Sequence, residues 1–266
     1  MAEILKISDL RVHFHDAAPD RFAVNGLDFS MNEGEIVGLV GESGSGKSVT
    51  AMCISGLLPR RRADKEGSIL LDGKEIFRCS EAELRSIQGR ELGVVFQEPM
   101  TAMNPVLRIG PQVEECLRVH TKLSKKERKA RALEAMSMVD LNDPEIVYDK
   151  YPHELSGGML QRVMIAAAII SRPKLLLADE PTTALDVTIQ AQILELLKKL
   201  NREYGMSILL ISHNLHVVRK LCTRVAVMQR GKIVEEAAVE EIFKAPQHEY
   251  TKKLLAAIPS RERKLV

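Results

Sequence analysis

The sequence predicts an α/β protein with a mostly parallel sheet, an antiparallel β subdomain at the N-terminus and an inserted α-helical subdomain. Apolar runs typical of buried strands, such as "GEIVGLVG" (34–41) and "KLLLADE" (174–180), alternate with helical segments, as they do around parallel sheets. Near the N-terminus, alternating segments joined by short turns predict antiparallel strands. Between residues 98 and 158, proline-containing connectors and helical periodicity replace the strands.

The N-terminal elements follow from turn signals and periodicity. "EILKISDLRVHF" alternates as a strand does, and "AVNGLDFSM" predicts a second strand that is entered by a turn at Asn25-Gly26. The buried run "GEIVGLVG" then leads through glycines into "KSVTAMCISGLL", which is a predicted helix. The segment "GSILLDGKEI" (67–76) predicts a hairpin that turns at Asp72-Gly73.

The later elements set the predicted boundaries within a single domain. Prolines interrupt a loop after residue 98, and helical periodicity then extends to about Val139. From Leu155 onward, helices alternate again with apolar strands such as "MSILLISH" and "RVAVMQRGKIVEE". The predicted domain spans 1–266, with an α/β core (1–97 and 159–240), a helical subdomain (98–158) and a short C-terminal tail (241–266).

Composition limits the classes of partner. The formal net charge is +2, so we expect no strong field that would attract nucleic acid. The basic clusters "PRRR" (59–62) and "KKERKAR" (125–131) are interpreted as solvated faces, with contact to anionic headgroups or to a partner as the alternative. The most apolar stretch, "VMIAAAII" (163–170), is far shorter than the roughly 20 residues of a membrane-spanning helix. We therefore expect a soluble chain whose role at a membrane depends on other subunits.

A phosphate-binding motif lies between the buried strand and the first helix. "GESGSGKS" (41–48) matches G-x-x-x-x-G-K-[ST] in the required context. Backbone N–H groups of such a loop surround phosphate oxygens, and the helix N-terminus adds partial positive charge. We expect Lys47 to reach the β- and γ-phosphates and Ser48 to ligate Mg²⁺. The motif predicts a P-loop NTPase core whose nucleotide contacts are Gly41, Glu42, Ser43, Gly44, Ser45, Gly46, Lys47, Ser48 and Val49.

Polar side chains end two further apolar strands. "KLLLADE" delivers Asp179 at its carboxyl end, where we expect it to hold Mg²⁺. Glu180 is placed to polarise an attacking water, as phosphoryl transfer to water requires. "LLISHN" (209–214) ends in His213, which could hydrogen-bond a γ-phosphate oxygen. The alternative interpretation is that Asp179 and Glu180 merely end a strand and that His213 is an ordinary surface residue.

Taken in order, the motifs "GESGSGKS", "FQEP", "LSGG", "LLLADE", "ALD" and "SH" resemble those of the nucleotide-binding subunit of ATP-binding-cassette (ABC) transporters. The resemblance covers nearly the whole chain and implies a RecA-like core that hydrolyses ATP with Mg²⁺. It also implies that Gln97 senses Mg²⁺ and the γ-phosphate, that "ALD" (184–186) crosses to a second subunit, and that His213 is a switch histidine. The resulting catalytic set is Glu180, His213 and Gln97, and the Mg²⁺ set is Ser48, Gln97 and Asp179.

The resemblance implies a shared site between two subunits. In this family the serine–glycine motif of one subunit caps the γ-phosphate that lies on the P-loop of the other. The residues expected to act in trans are Ser156, Gly157, Gly158 and Asp186. The implied partners are a second ATPase subunit, as a homo- or heterodimer, two transmembrane permease subunits and, indirectly, a solute-binding protein, with no nucleic acid. The implied location is peripheral, at the cytoplasmic face of the cell membrane.

Some positions differ from the common pattern of the family. The motif reads "LSGGM", with Met159 where many relatives carry glutamine, and Asn214 stands where aspartate is frequent. The aromatic residue that stacks on adenine is assigned to Phe14, with Phe22 as the second candidate and a core role for Phe14 as the alternative. Stacking of this kind is worth about 1–3 kcal/mol.

Other segments indicate the branch of the family. "SGGMLQR", "FQEPMTAMNPV" and "ALDVTIQAQIL" resemble importers of dipeptides, oligopeptides and nickel, and "PQHEYTKKLLAAIPS" (246–260) is similar to the tail of that branch. The tail holds no cysteine cluster, which favours the nickel-type members slightly. The predicted function is ATP hydrolysis that drives uptake of peptides or nickel, and segment 98–112 is expected to contact the membrane subunits.

The alternative function is a soluble ABC ATPase that acts on ribosomes or DNA. DNA-repair and chromosome-organising ATPases insert long coiled coils between the two glycine motifs, whereas residues 49–155 hold no sustained heptads. The ribosomal class commonly fuses two cassettes in one chain, whereas this sequence shows one set of motifs. A guanine-reading NKxD motif is also absent from the sequence, which argues against a GTPase.

Overall fold

The structure is a computed structural model that describes residues 2–18, 20–59, 61–183 and 185–258. Ala184 of the predicted "ALD" loop and residues 259–266 of the predicted tail lie outside these ranges. The chain divides into two compact units: unit 1 comprises residues 1–80 and 207–266, and unit 2 comprises residues 81–206. The subdomain boundaries at residues 98 and 158 stay a prediction, since they do not coincide with this division.

The elements follow the predicted alternation. The strands are β1 (Glu3–Phe14), β2 (Val24–Asn32), β3 (Ile36–Val40), β4 (Ala63–Leu71), β5 (Lys74–Glu75), β6 (Leu92–Val95), β7 (Leu175–Asp179), β8 (Ser207–Ser212), β9 (Arg224–Gln229) and β10 (Lys232–Ala238). The helices are α1 (Lys47–Ser55), α2 (Glu81–Ile87), α3 (Pro99–Ala102), α4 (Ile109–Val113), α5 (Glu115–His120), α6 (Lys125–Met138), α7 (Pro144–Tyr148), α8 (Gly157–Ile169), α9 (Val187–Tyr204), α10 (Leu215–Leu221), α11 (Val239–Lys244) and α12 (Glu249–Ala256), with a 3₁₀ turn at Pro152–Glu154.

Unit 1 contains an antiparallel sheet and a mostly parallel group of strands. The antiparallel sheet has the order β2-β1-β4-β5, and β1 pairs antiparallel with both β2 and β4. In the second group, β3 pairs parallel with β8 and β9, and β10 returns antiparallel along β9. The predicted N-terminal antiparallel part and the predicted parallel pairing are both confirmed.

The parallel strands of unit 1 are apolar along their whole length because both faces are covered. Every residue of β3 and of β8 is buried, which is the pattern of a strand covered on both faces. On one face α10 approaches so closely that a Cβ on Gly38 would lie 2.8 Å from Val218 Cγ1. Strand β3 therefore ends at a fixed point, and the phosphate-binding motif follows directly.

Unit 2 contains a parallel strand pair and the predicted helices. β6 pairs parallel with β7, and α4 and α6 pack against α8. Helix α6 begins with a capping box in which the Ser124 side chain accepts from the Glu127 N–H and the Glu127 side chain accepts from the Ser124 N–H, which satisfies two backbone donors at the helix start.

A buried polar cluster joins three helical segments of unit 2. The Glu114 carboxylate, which is buried, accepts a short hydrogen bond from the Tyr148 hydroxyl and a hydrogen bond from Arg128 Nε at 3.3 Å. Arg128 also donates to the Leu123 carbonyl at 2.7 Å. Because a buried charge is costly without partners, this cluster fixes α6 and α7 against the α4–α5 junction.

Throughout the ranges described, no helix is both long enough and apolar enough to span a bilayer.

Candidate functional site

The predicted phosphate loop of unit 1 runs from the end of β3 into α1. Gly46, the N-cap of α1, has φ 109° and ψ −1°, and a Cβ there would lie 2.5 Å from the carbonyl oxygen of Ala23. Only glycine meets both conditions without strain. Gly41, Ser45, Gly46 and Lys47 are buried, Val49 is half-buried, and Glu42, Ser43, Gly44 and Ser48 are exposed. The loop therefore presents exposed backbone around a buried lysine.

The Lys47 ammonium lies inside this loop. Its Nζ atom donates to the Gly41 carbonyl at 2.8 Å, to the Glu42 carbonyl at 2.9 Å and to Ser45 Oγ at 3.4 Å. A buried ammonium needs such acceptors because desolvation disfavours the charged form. The chain therefore holds a positive charge within the loop, where an anionic ligand would be recognised.

Two contacts hold the phosphate loop from outside, and the sequence did not indicate either one. The Gly231 N–H, in the turn between β9 and β10, donates to the Ser45 carbonyl at 2.9 Å. The Glu42 N–H donates to the Tyr250 hydroxyl of α12 at 2.9 Å. The sequence predicts a buried strand in "RVAVMQRGKIVEE", whereas the segment forms a hairpin of two strands that turns at Arg230-Gly231.

The two aromatic candidates differ in their surroundings. Phe14 ends β1, where it pairs with Ala63 of β4, and it is half-buried. Phe22 lies edge-to-face against His13, with ring centroids 5.4 Å apart. Because a neighbouring ring engages Phe22, Phe14 stays the preferred prediction for stacking on a base.

The predicted switch histidine also belongs to unit 1. His213 follows β8 directly and is exposed. Asn214 next to it is the N-cap of α10, and its Oδ1 accepts from the His216 N–H at 2.9 Å. Asparagine and aspartate cap helices about equally well, so the capping role accounts for either residue at position 214.

In unit 2, the two predicted carboxylates stand at the end of β7. Asp179 is the last residue of the strand and is half-buried. Glu180 has φ 47°, a conformation that costs non-glycine residues of order 1–3 kcal/mol and concentrates at functional sites. Its Oε2 atom accepts from Gln97 Nε2 at 3.1 Å and from Thr183 Oγ1 at 2.9 Å. The structure thus brings Gln97 to Glu180 and adds Thr183, which the sequence analysis did not single out.

The serine–glycine motif begins α8 in unit 2. Ser156 is its N-cap, and its Oγ accepts from the Met159 N–H at 3.3 Å. A Cβ on Gly158 would lie 2.8 Å from Ile189 Cγ2 of α9, whereas among the described residues a Cβ on Gly157 would meet only Leu185, at 3.9 Å. Packing among the residues that the structure describes therefore explains Gly158 but not the exposed Gly157. Asp186, the N-cap of α9, accepts from the Ile189 N–H at 2.9 Å.

The predicted Mg²⁺ ligands have suitable donor chemistry. They are the Ser48 hydroxyl, the Gln97 amide oxygen and the Asp179 carboxylate, and oxygen donors are those that Mg²⁺ prefers. Because the Gln97 amide nitrogen donates to Glu180, the amide oxygen is the end that a cation would take. In the described part of the chain, no group of three or more His, Cys, Asp or Glu side chains could hold a metal ion.

Comparison with known proteins agrees with these features. A family model described as "ABC transporter" matches residues 24–183. The peptidoglycan transport ATP-binding protein YejF of Agrobacterium fabrum is 51% identical over 260 residues, covering 97% of this chain and 48% of that protein. This chain therefore spans about half the length of that relative. The oligopeptide transport ATP-binding protein OppD of Bacillus subtilis is 47% identical over 263 residues, covering 98% of this chain and 74% of that protein.

A solved structure gives the same result at the level of the fold. The dimeric post-hydrolysis state of the ATP-binding cassette MJ0796, bound to ADP and Pi, aligns with a TM-score of 0.78 and 31% identity. The alignment covers 89% of this chain and 99% of that one. The predicted P-loop NTPase fold is confirmed.

Proposed function

Because this chain belongs to the ABC transporter family, we propose that it is the ATP-hydrolysing subunit of an importer that takes up peptides through separate membrane subunits. The observation that carries the proposal is the similarity, over 97–98% of this chain, to relatives that are named for peptidoglycan and oligopeptide transport. These names favour peptides over nickel, the other cargo that the sequence left open. They also favour transport over action on ribosomes or DNA.

The residues of unit 1 support binding of the triphosphate. Lys47 carries a charge within the loop, held by the Gly41 and Glu42 carbonyls, and we assign it to the β- and γ-phosphates. Ser48, at the start of α1, and Asp179 of unit 2 are assigned to Mg²⁺. When bound, Mg²⁺ neutralises charge that develops on the transferring phosphoryl group.

Glu180 is proposed as the general base. Thr183 and Gln97 both donate to its Oε2 atom, and these two hydrogen bonds orient the carboxylate. A carboxylate oriented in this way can accept the proton of an attacking water as the γ-phosphate is transferred. His213 is proposed to contact the γ-phosphate from the end of β8.

Ser156, Gly157 and Gly158 are proposed to cap the γ-phosphate of a second subunit. The start of α8 supplies backbone N–H groups and the positive end of a helix dipole, which favours anions. Gly157 is exposed, and the described residue nearest to a Cβ there is Leu185, at 3.9 Å, which leaves room for a close approach. A phosphate bound from both sides would close the dimer, and its hydrolysis would release the two halves.

The proposed assembly contains a second ATPase subunit, two transmembrane permease subunits and, indirectly, a solute-binding protein. The chain would sit at the cytoplasmic face of the membrane as a peripheral subunit. The dimeric form of the similar MJ0796 cassette supports the ATPase pair, and the transport names of the relatives support membrane partners.

Dimer closure can be tested with a slow variant. We expect purified chain carrying Glu180→Gln to dimerise with Mg·ATP in light scattering, and Ser156→Arg to abolish that dimer and the turnover of the wild type. Ser137→Arg, a control at an exposed serine of α6, should change neither. Full turnover by an isolated wild-type monomer, or an intact dimer with Ser156→Arg, would contradict the shared site.

The cargo is tested by uptake. The chain should co-purify from detergent-solubilised membranes with two multi-span proteins, and proteoliposomes of that complex with its binding protein should accumulate a labelled tripeptide in an ATP-dependent manner. Lys47→Ala should abolish the accumulation. ATP-dependent uptake of Ni²⁺ in place of peptide would reject the peptide assignment but leave the importer assignment intact.

A further inference from the structure

We propose that the Tyr250 hydroxyl is a positioning group for the phosphate loop: it fixes the Gly41–Glu42 peptide from outside the loop, so that the carbonyl of that peptide stays on the Lys47 ammonium. The inference rests on the proposed function, because it assigns Tyr250 a role in nucleotide affinity. It concerns only unit 1, which contains the loop, the β9–β10 hairpin and α12.

One peptide group carries both contacts. Its carbonyl, on Gly41, accepts from Lys47 Nζ at 2.8 Å, and its N–H, on Glu42, donates to the Tyr250 hydroxyl at 2.9 Å. No cis peptide bond occurs among the residues placed in the structure, and the C=O and N–H of a trans peptide point in opposite directions. Rotation of this peptide plane would therefore break both hydrogen bonds together.

Helix α12 gives Tyr250 a fixed position. The carboxylate of Glu235, on β10, accepts from the Gln247 N–H at 2.7 Å and from the His248 N–H at 3.0 Å. The His248 ring then caps the helix by accepting from the Tyr250 N–H at 3.1 Å. Burial alone would raise the pKa of Glu235, but hydrogen bonds from the Gln247 N–H and the His248 N–H outweigh it and lower that pKa. The anchor is therefore charged at neutral pH.

The same hairpin supports both the loop and the helix. Gly231, at the turn before β10, donates to the Ser45 carbonyl of the loop, and Glu235 on β10 holds the start of α12. The Tyr250 side chain is itself buried, at 7% exposure, and burial raises the pKa of its phenol, so the group accepts from the Glu42 N–H as a neutral hydroxyl. The C-terminal helix and the phosphate loop thus form one hydrogen-bonded framework.

The test removes the hydroxyl and keeps the ring. In the full chain, Tyr250→Phe should weaken Mg·ATP binding about fivefold by calorimetry, because one hydrogen bond that holds the loop is lost. Tyr204→Phe is the matched control, since Tyr204 is exposed at the end of α9 and is not among the residues that form this framework. Its affinity for Mg·ATP should equal that of the wild type.

A second measurement separates positioning from simple destabilisation. Thermal unfolding over a series of Mg·ATP concentrations reports the affinity of the folded state, because a ligand raises the midpoint according to its Kd. If Tyr250 positions the loop, Tyr250→Phe needs about fivefold more Mg·ATP than the wild type for the same rise in the thermal unfolding midpoint. If the midpoint falls equally at every ATP concentration and the Kd is unchanged, the hydroxyl is only structural and the proposal is overturned.

Lys47→Ala tests the nucleotide-binding role of the loop separately from the positioning role of Tyr250. It should abolish Mg·ATP binding if the loop is the nucleotide site, whatever the behaviour of Tyr250→Phe. Wild-type affinity in Lys47→Ala would reject the proposed function of the loop. Loss of binding in Lys47→Ala with an unchanged Kd in Tyr250→Phe would reject only the role of Tyr250.

Discussion

The phosphate loop contains two glycines whose replacement by alanine should have different consequences. Gly44 and Gly46 both have positive φ, 78° and 109°. A Cβ on Gly44 would meet no atom of the described residues within 4 Å, whereas a Cβ on Gly46 would lie 2.5 Å from the Ala23 carbonyl oxygen and 2.7 Å from Met228 Cε. The pair therefore separates the cost of the backbone conformation from the cost of the close approach.

The expected magnitudes follow from these environments. A left-handed conformation costs alanine about 1–2 kcal/mol, and the lower entropy of the unfolded chain offsets about 0.4–1 kcal/mol of that. Gly44→Ala should therefore lower the free energy of unfolding by about 1 kcal/mol. Gly46→Ala adds overpacking against a backbone carbonyl, about 1–3 kcal/mol, so its total cost is about 2–4 kcal/mol.

Thermal unfolding without nucleotide measures the difference. In a chain of this size about 1 kcal/mol moves the midpoint by roughly 2–4 °C. We expect Gly44→Ala to lose a few degrees and Gly46→Ala roughly 5–15 °C. Equal midpoints for the two variants would refute the reasoning, since the approach of Ala23 to Gly46 would then carry no energy.

Three further outcomes are expected. Glu180→Gln keeps a side-chain acceptor for its two donors but loses the general base. The rate of phosphate release should therefore fall by about 10²–10⁴-fold, while the Kd for Mg·ATP stays within about twofold of the wild-type value. Phosphate release at the wild-type rate would show that Glu180 is not the base. Phe14→Ala should weaken ATP binding several-fold by loss of stacking and Phe22→Ala should not; the reverse result in calorimetry would exchange the two assignments. Burial alone would raise the pKa of Glu35, but hydrogen bonds from Asn32 and Arg224 outweigh it and lower that pKa below 4.5. Glu35 then contributes stability in full above about pH 4.5 and loses that contribution as the pH falls through the lowered pKa. The difference in thermal unfolding midpoint between the wild type and Glu35→Gln should therefore shrink in acid. A difference that is constant with pH would contradict this.

Local sequence was enough to predict most elements. The buried runs that became β3, β7 and β8 are apolar because both faces of a parallel strand are covered, and this leaves a pattern that is visible in the chain. The turn at Asp72-Gly73 was equally visible, since such pairs adopt positive φ readily. By contrast, the turn at Arg230-Gly231 has no such signal in its first residue, so the β9–β10 hairpin was missed.

The same distinction holds within the candidate site. Lys47 and Asp179 were predicted because their neighbours in the chain form a loop and a strand with characteristic residues. Thr183 was missed because a threonine after a strand is common in any protein, and only its hydrogen bond to Glu180 distinguishes it. Gln97 was assigned by resemblance, while its contact with Glu180 spans 83 positions.

The fold class, the family and the predicted phosphate loop are all encoded in residues that are close together in the chain, so the sequence was enough to predict them. The contacts that hold the loop in place become visible only in the folded chain. Tyr250 reaches Glu42 across 208 positions, and no local pattern marks a tyrosine as the acceptor of one particular backbone N–H. Such a contact exists only after β10 and α12 have packed, since packing is what brings distant polar groups within hydrogen-bond distance.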